Sequence, residues 1–173
     1  MVGSVGGDDR AAPGAGHALR WPAGLSPGCA DVWAVSELAI GAAPAAVFSC
    51  LVTVGRWERD FAAIRNVRVA APGRGRLGPD SVFEFEIDGL RLCAHVVGFR
   101  AGHRLAWSGQ GIDISAYHEW AVSGGPGGSR VLAGFAGRGA AAVALREPDP
   151  HAARRTLDRW AAGLKAATER GRR

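Results

Sequence analysis

Residues 81–99 read SVFEFEIDGLRLCAHVVGF, two runs of alternating apolar and polar residues joined by Asp88-Gly89. Asp-Gly between such runs is a strong signal for a two-residue hairpin, because both residues tolerate the positive φ that its turn demands. The turn sets the register. With Ile87 opposite Leu90, Phe85 faces Leu92 and Phe83 faces Ala94 on one side of the pair, since side chains alternate with period two. Glu84, Glu86, Arg91, Cys93 and His95 take the other side, with Glu86 opposite Arg91, which makes the two acids a solvated cross-strand charge ladder.

Working outward, residues 64–70 (IRNVRVA), 103–111 (HRLAWSGQG), 112–123 (IDISAYHEWAVS) and 129–138 (SRVLAGFAGR) are further antiparallel strands, separated by the turn-rich 71–80 (APGRGRLGPD) and 124–128 (GGPGG). Before them, VWAVSELAI at 32–40 reads as a first strand. In 41–61 (GAAPAAVFSCLVTVGRWERDF), Pro44 opens a short helix carrying Val47, Phe48 and Leu51, and Trp57 and Phe61 follow in a second. A long helix is expected from Pro150, with Asp149 as N-cap; Ala153, Leu157, Trp160, Ala161, Leu164 and Ala167 form its apolar stripe. Residues 1–30, rich in Gly, Ala and Pro without apolar periodicity, are expected to be a disordered or loosely docked arm before a single domain at 31–173.

Lys165 is the only lysine, and the net charge of +5 comes from 21 basic against 16 acidic residues. The arginines are scattered, with no aromatic-interleaved basic stripe, so no nucleic-acid partner is expected. The arm has no apolar core of a secretory signal, and no run of about 18 apolar residues occurs, which implies a cytoplasmic protein without a membrane partner. Cys29, Cys50 and Cys93 are odd in number and lack metal-ligand spacing. No Ser-His-Asp or Cys-His set, phosphate-binding Gly loop or metal-type cluster can be assembled, so neither cofactor nor metal is expected. The oligomeric state stays open.

The order of strand, two short helices, antiparallel sheet and long C-terminal helix resembles the helix-grip fold of the START-like superfamily, in its polyketide cyclase/dehydrase and lipid-transport branch. The resemblance spans about Val32 to Glu169 and rests on IGAAPAAVFSCLVTVGRW (40–57), residues 81–99, RLAWSG (104–109), YHEWAV (117–122), GGSRV (127–131) and WAAGLKAATE (160–169). It implies an α+β domain in which a curved, six- to seven-stranded antiparallel sheet wraps the long helix around a central hydrophobic cavity. Phe135 stands where the family often carries Glu, making the wall more apolar, and Pro148 and Pro150 interrupt what is often a longer helix, leaving the mouth at 140–149 unassigned.

Alternation places Phe83, Phe85, Leu92, Ala94, Val96, Leu105, Trp107, Ile114, Ala116, Trp120, Val131, Ala133 and Phe135 on the face turned to the helix, and His118 shares that face. Two readings of His118 stand. It is a core histidine satisfied by a neighbouring hydroxyl or carbonyl, or it is the cavity's chief polar group, kept neutral by desolvation and able to bind a carbonyl or phenol or move a proton. Arg65 is a candidate for steadying an enolate or carboxylate. Ser36, Trp57, Phe83, Phe85, Leu92, Trp107, Trp120, Phe135, Leu157 and Trp160 are candidate ligand contacts. Tyr117 is expected on the exposed outer face with Glu119. The resemblance then implies a cofactor-independent cyclase or dehydratase of secondary metabolism acting on a polyketide-like or aromatic substrate, or a non-catalytic carrier or sensor of a hydrophobic small molecule.

Overall fold

The computed structural model describes residues 18–70 and 75–171; the first part of the arm and part of the 71–80 loop lie outside the described residues. Seven strands form one antiparallel sheet in the order β1-β7-β6-β5-β4-β3-β2. They are β1 (Val32–Ile40), β2 (Ile64–Val69), β3 (Val82–Ile87), β4 (Leu90–Arg100), β5 (Arg104–Gly111), β6 (Ile114–Gly125) and β7 (Gly128–Arg138). Two short helices, α1 (Pro44–Val52) and α2 (Trp57–Asp60), follow β1, and α3 (Ala140–Arg146) and α4 (Ala152–Arg170) end the chain. The β3–β4 register is the one set by the Asp88-Gly89 turn, with Ile87 opposite Leu90, Phe85 opposite Leu92 and Glu86 opposite Arg91. Asp88 and Gly89 both adopt positive φ, 48° and 79°.

The long helix covers the inner face of the sheet, burying Leu157, Trp160, Ala161, Leu164 and Ala167, and packs on β1 and β7 and against the three shorter helices. It approaches α2 closely because Gly163 has no side chain: a Cβ there would stand 2.7 Å from the Asp60 carbonyl oxygen. Two boundaries differ from the sequence expectation. The helix begins at Ala152, two residues after Pro150, because Asp149 closes a turn instead of capping a helix: its carboxylate accepts the His151 N–H at 2.9 Å and its carbonyl the Ala152 N–H at 3.0 Å. The unassigned mouth segment contains α3, a run of good helix formers entered through Gly139 at φ 115°.

The outer face carries a third difference. Tyr117 and Glu119 point outward as alternation requires, yet they are 2% and 0% exposed, because residues 18–30 lie across that face. Arg20 donates its backbone N–H to Glu119 Oε2 at 3.0 Å, and the Trp21 ring meets Tyr117 at 6.1 Å between centroids. Gly134 leaves the space these residues occupy: a Cβ there would be 2.8 Å from the Trp21 ring and closer still to Leu19. Beneath the segment, Arg104 Nε donates to Glu119 Oε1 at 2.8 Å and Tyr117 Oη donates to Glu119 Oε2 at 2.5 Å. The Glu119 carboxylate is thus paired and hydrogen-bonded, which is what permits a charge to be fully buried. Burial, reinforced by the Glu119 hydrogen bond, pushes the Tyr117 phenol well above its ordinary range.

Candidate functional site

The inner face alternates as its sequence dictates, so aromatic side chains from β3, β5 and β6 project toward α4. In the middle they meet Trp57 from α2 and Trp160 from α4. The Trp57 ring lies 5.7 Å from Phe83, 5.7 Å from Trp107 and 5.4 Å from Trp160, all centroid to centroid, and its Nε1 donates to the Leu51 carbonyl at 3.0 Å. These rings fill the centre of the fold, which displaces the cavity to one end. There it is bounded by the β3–β4 tip, the β5–β6 turn, α3 and the first turns of α4. Its volume is about 70 Å³.

Of the candidate residues, Phe85, Leu92, Trp107, His118, Phe135, Leu157 and Trp160 line this cavity. Trp57, Phe83 and Trp120 belong to the packed cluster and are 1%, 1% and 0% exposed. Ser36 is buried under α4, where its hydroxyl donates to Asp158 Oδ1 at 2.5 Å. Arg65 is exposed on β2, an edge strand, and its guanidinium donates to the Ile64 carbonyl at 2.7 Å. The structure therefore brings seven of the candidates together with His118 among them and leaves Arg65 and Ser36 away from it.

His118 lies opposite Trp107 across β5–β6 and two residues from Trp120 on the same face of β6. Both neighbours stack on it, Trp107 at 4.6 Å with a 21° interplanar angle and Trp120 at 5.3 Å with 18°, while Trp160 meets it edge-on at 4.7 Å. The imidazole is 5% exposed and its Nε2 has no hydrogen-bond partner; the hydroxyl or carbonyl that a satisfied core histidine would need is not at that atom. The Nε1 atoms of Trp120 and Trp160 are also buried without partners. Burial lowers the His118 pKa to about 3 from the ordinary 6.5, so the ring is neutral at physiological pH. Among the described residues, no arginine or lysine lines the cavity.

Sequence reasoning missed the rim. Asp88 and Thr156 line the cavity where the hairpin tip meets α4. The Thr156 hydroxyl donates to Asp88 Oδ2, and Arg159 Nη2 donates to Asp88 Oδ1 at 3.3 Å and to Thr156 Oγ1 at 2.9 Å. Asp88 carried only a turn signal, and no local pattern reports that a residue 68 positions later closes on it. Leu145 and Ala152 also line this end; they fall in or beside the segment whose conformation had no periodic signal.

Seven antiparallel strands, short helices after the first and a long C-terminal helix over the inner face make this a helix-grip fold. Solved structures agree with that assignment. A hypothetical protein from Helicobacter pylori is 27% identical, with a TM-score of 0.81 over 87% of this chain and 96% of that one. A START superfamily protein from Mycobacterium smegmatis is 13% identical, with a TM-score of 0.64 over 80% of this chain and 97% of that one. A protein in the dynemicin biosynthetic locus is 13% identical, with a TM-score of 0.57 over 80% of this chain and 48% of that one. No family model matches the chain, and no curated protein matches it. Among the described residues, no helix is long and apolar enough to cross a membrane.

Proposed function

We propose that the protein binds a small hydrophobic molecule in the off-centre cavity and acts as its carrier or sensor. The observation that carries this reading is the cavity wall: mostly aromatic and aliphatic side chains, no basic residue among the described residues, and His118 as the buried polar ring, with Asp88 and Thr156 only at the rim. Such a surface rewards desolvation of an apolar molecule and offers few groups that could stabilise charge developing in a transition state. The volume points the same way. About 70 Å³ is roughly half of the ~150 Å³ that holds benzene in an engineered protein cavity, too little for a folded polyketide chain.

The second reading is the cyclase or dehydratase, cofactor-independent and working in secondary metabolism. His118 in the cavity wall is the observation that favours it, and the dynemicin-locus neighbour is compatible with it. Against it, a general base works best with a pKa near the operating pH, and His118 at about 3 holds a proton weakly. The reading extends to residues 31–173 as the ligand-binding domain and to a cytoplasmic location.

One experiment separates the two. A panel of small neutral aromatic compounds, together with aryl β-hydroxyketones that can lose water, is screened by thermal shift against the protein and against Ala153→Leu, which fills the cavity from α4. Bound compounds are then re-extracted after long incubation. A carrier or sensor stabilises with its ligand, loses that response in Ala153→Leu and returns the compound unchanged. Recovery of a cyclised or dehydrated product would overturn the binding-only reading in favour of the enzyme.

A further inference from the structure

Resting on that reading, we propose that the cavity selects an uncharged, one-ring molecule bearing a neutral oxygen, a phenol or an aryl carbonyl, and rejects the matching carboxylate. Size sets the first limit: about 70 Å³ is roughly half of what holds benzene, so even one ring enters only as lining side chains such as Leu145 on α3 move aside, and nothing larger fits. Shape sets the second. Phe85, Trp107, Phe135 and Trp160 present ring faces and edges, and aromatic ligands pack against these in offset or edge-on geometry.

Charge decides against an anion. Among the described residues no arginine or lysine lines the wall, and the cation beside the rim, Arg159, is already paired with the Asp88 carboxylate at 3.3 Å. A ligand carboxylate would lose its water and meet no counter-charge. The oxygen is called for by His118. This ring is more than nine-tenths buried and lines the cavity, and its Nε2 has no partner, an arrangement that costs free energy until something pairs with it; the atom is sealed from solvent, so a ligand oxygen reaches it only after a small shift of the ring. A neutral imidazole nitrogen either accepts or donates according to tautomer. It can therefore accept from a phenol O–H or donate to a carbonyl oxygen, and either group brings no net charge into the apolar site.

Two matched pairs of probes test this by calorimetry at pH 7.5: phenol against toluene, which differ by hydroxyl for methyl, and benzaldehyde against benzoate, which differ by neutral carbonyl for carboxylate. The expected results are that phenol binds at least as tightly as the more hydrophobic toluene, and that benzoate binds at least 100-fold more weakly than benzaldehyde. In His118→Phe the phenol-to-toluene ratio should fall at least tenfold. Without any variant, phenol but not toluene should move the ¹⁵N resonance of His118 Nε2. Benzoate within tenfold of benzaldehyde would overturn the selection for neutrality. An unchanged ¹⁵N resonance under saturating phenol, or an unchanged ratio in the variant, would overturn the pairing with His118. If none of the four binds up to millimolar concentration, the cavity is not a binding site for such molecules and the proposed function falls together with this inference.

Discussion

Burial of the His118 ring penalises its charged form, and that penalty makes stability depend on pH. In the folded protein His118 takes up a proton near pH 3, in the unfolded chain near the ordinary 6.5. Above both values neither state binds the proton. As pH falls below about 6.5 the unfolded chain is protonated first, so stability is lost progressively down to about pH 3, at about 1.4 kcal/mol per pH unit. Urea denaturation at pH 7.5 and 5 should therefore show a loss of about 2 kcal/mol in the protein that is missing from His118→Phe. The variant itself should stay within about 1 kcal/mol of the parent at pH 7.5, since an apolar ring suits the stack and Nε2 leaves no partner behind. Parallel losses in the two proteins would mean that His118 is protonated within the fold.

At the scale of the element, the segment of residues 18–30 does what its composition conceals. It has no periodic apolar positions, yet it covers Tyr117 and Glu119 and gives the Glu119 carboxylate a backbone N–H. Removing residues 1–25 would return a buried ion pair and a tyrosine ring to solvent, and the melting temperature should fall by more than about 5 °C, corresponding to about 2 kcal/mol for a domain of this size. Gly134→Leu, which places a side chain where Leu19 and Trp21 pack, should cause a comparable fall in the full chain and little further loss in the shortened one. A shortened protein that melts at the parent temperature would show that the segment adds nothing to stability. The outward direction of Tyr117 was legible from alternation; its burial was not, because it depends on a contact with a segment about a hundred residues away.

For the whole molecule, the sheet and α4 complete each other. The inner face carries Trp107, Trp120, Phe83 and Phe85, all buried, and α4 is the longest helix packed over it. A chain ending at Gly139 should show no cooperative thermal transition by circular dichroism, because the apolar stripe of α4 that covers this face is gone. A sigmoidal melt of that fragment would mean that the sheet and the first two helices form a sufficient core. What the linear order of residues settled was everything built from near neighbours: the Asp88-Gly89 turn, hence the β3–β4 register, the inward set from Phe83 to Ala133, and the apolar stripe of α4. Period-two and period-3.6 patterns are written along the chain, and a two-residue turn holds the ends it joins in place. The position of the cavity was settled only when Trp57, Trp107 and Trp160, from three distant elements, met at the centre and left the unfilled space near Asp88 and Thr156. Which rings come together is a matter of how α2 and α4 cross the sheet, and no local periodicity carries that distance.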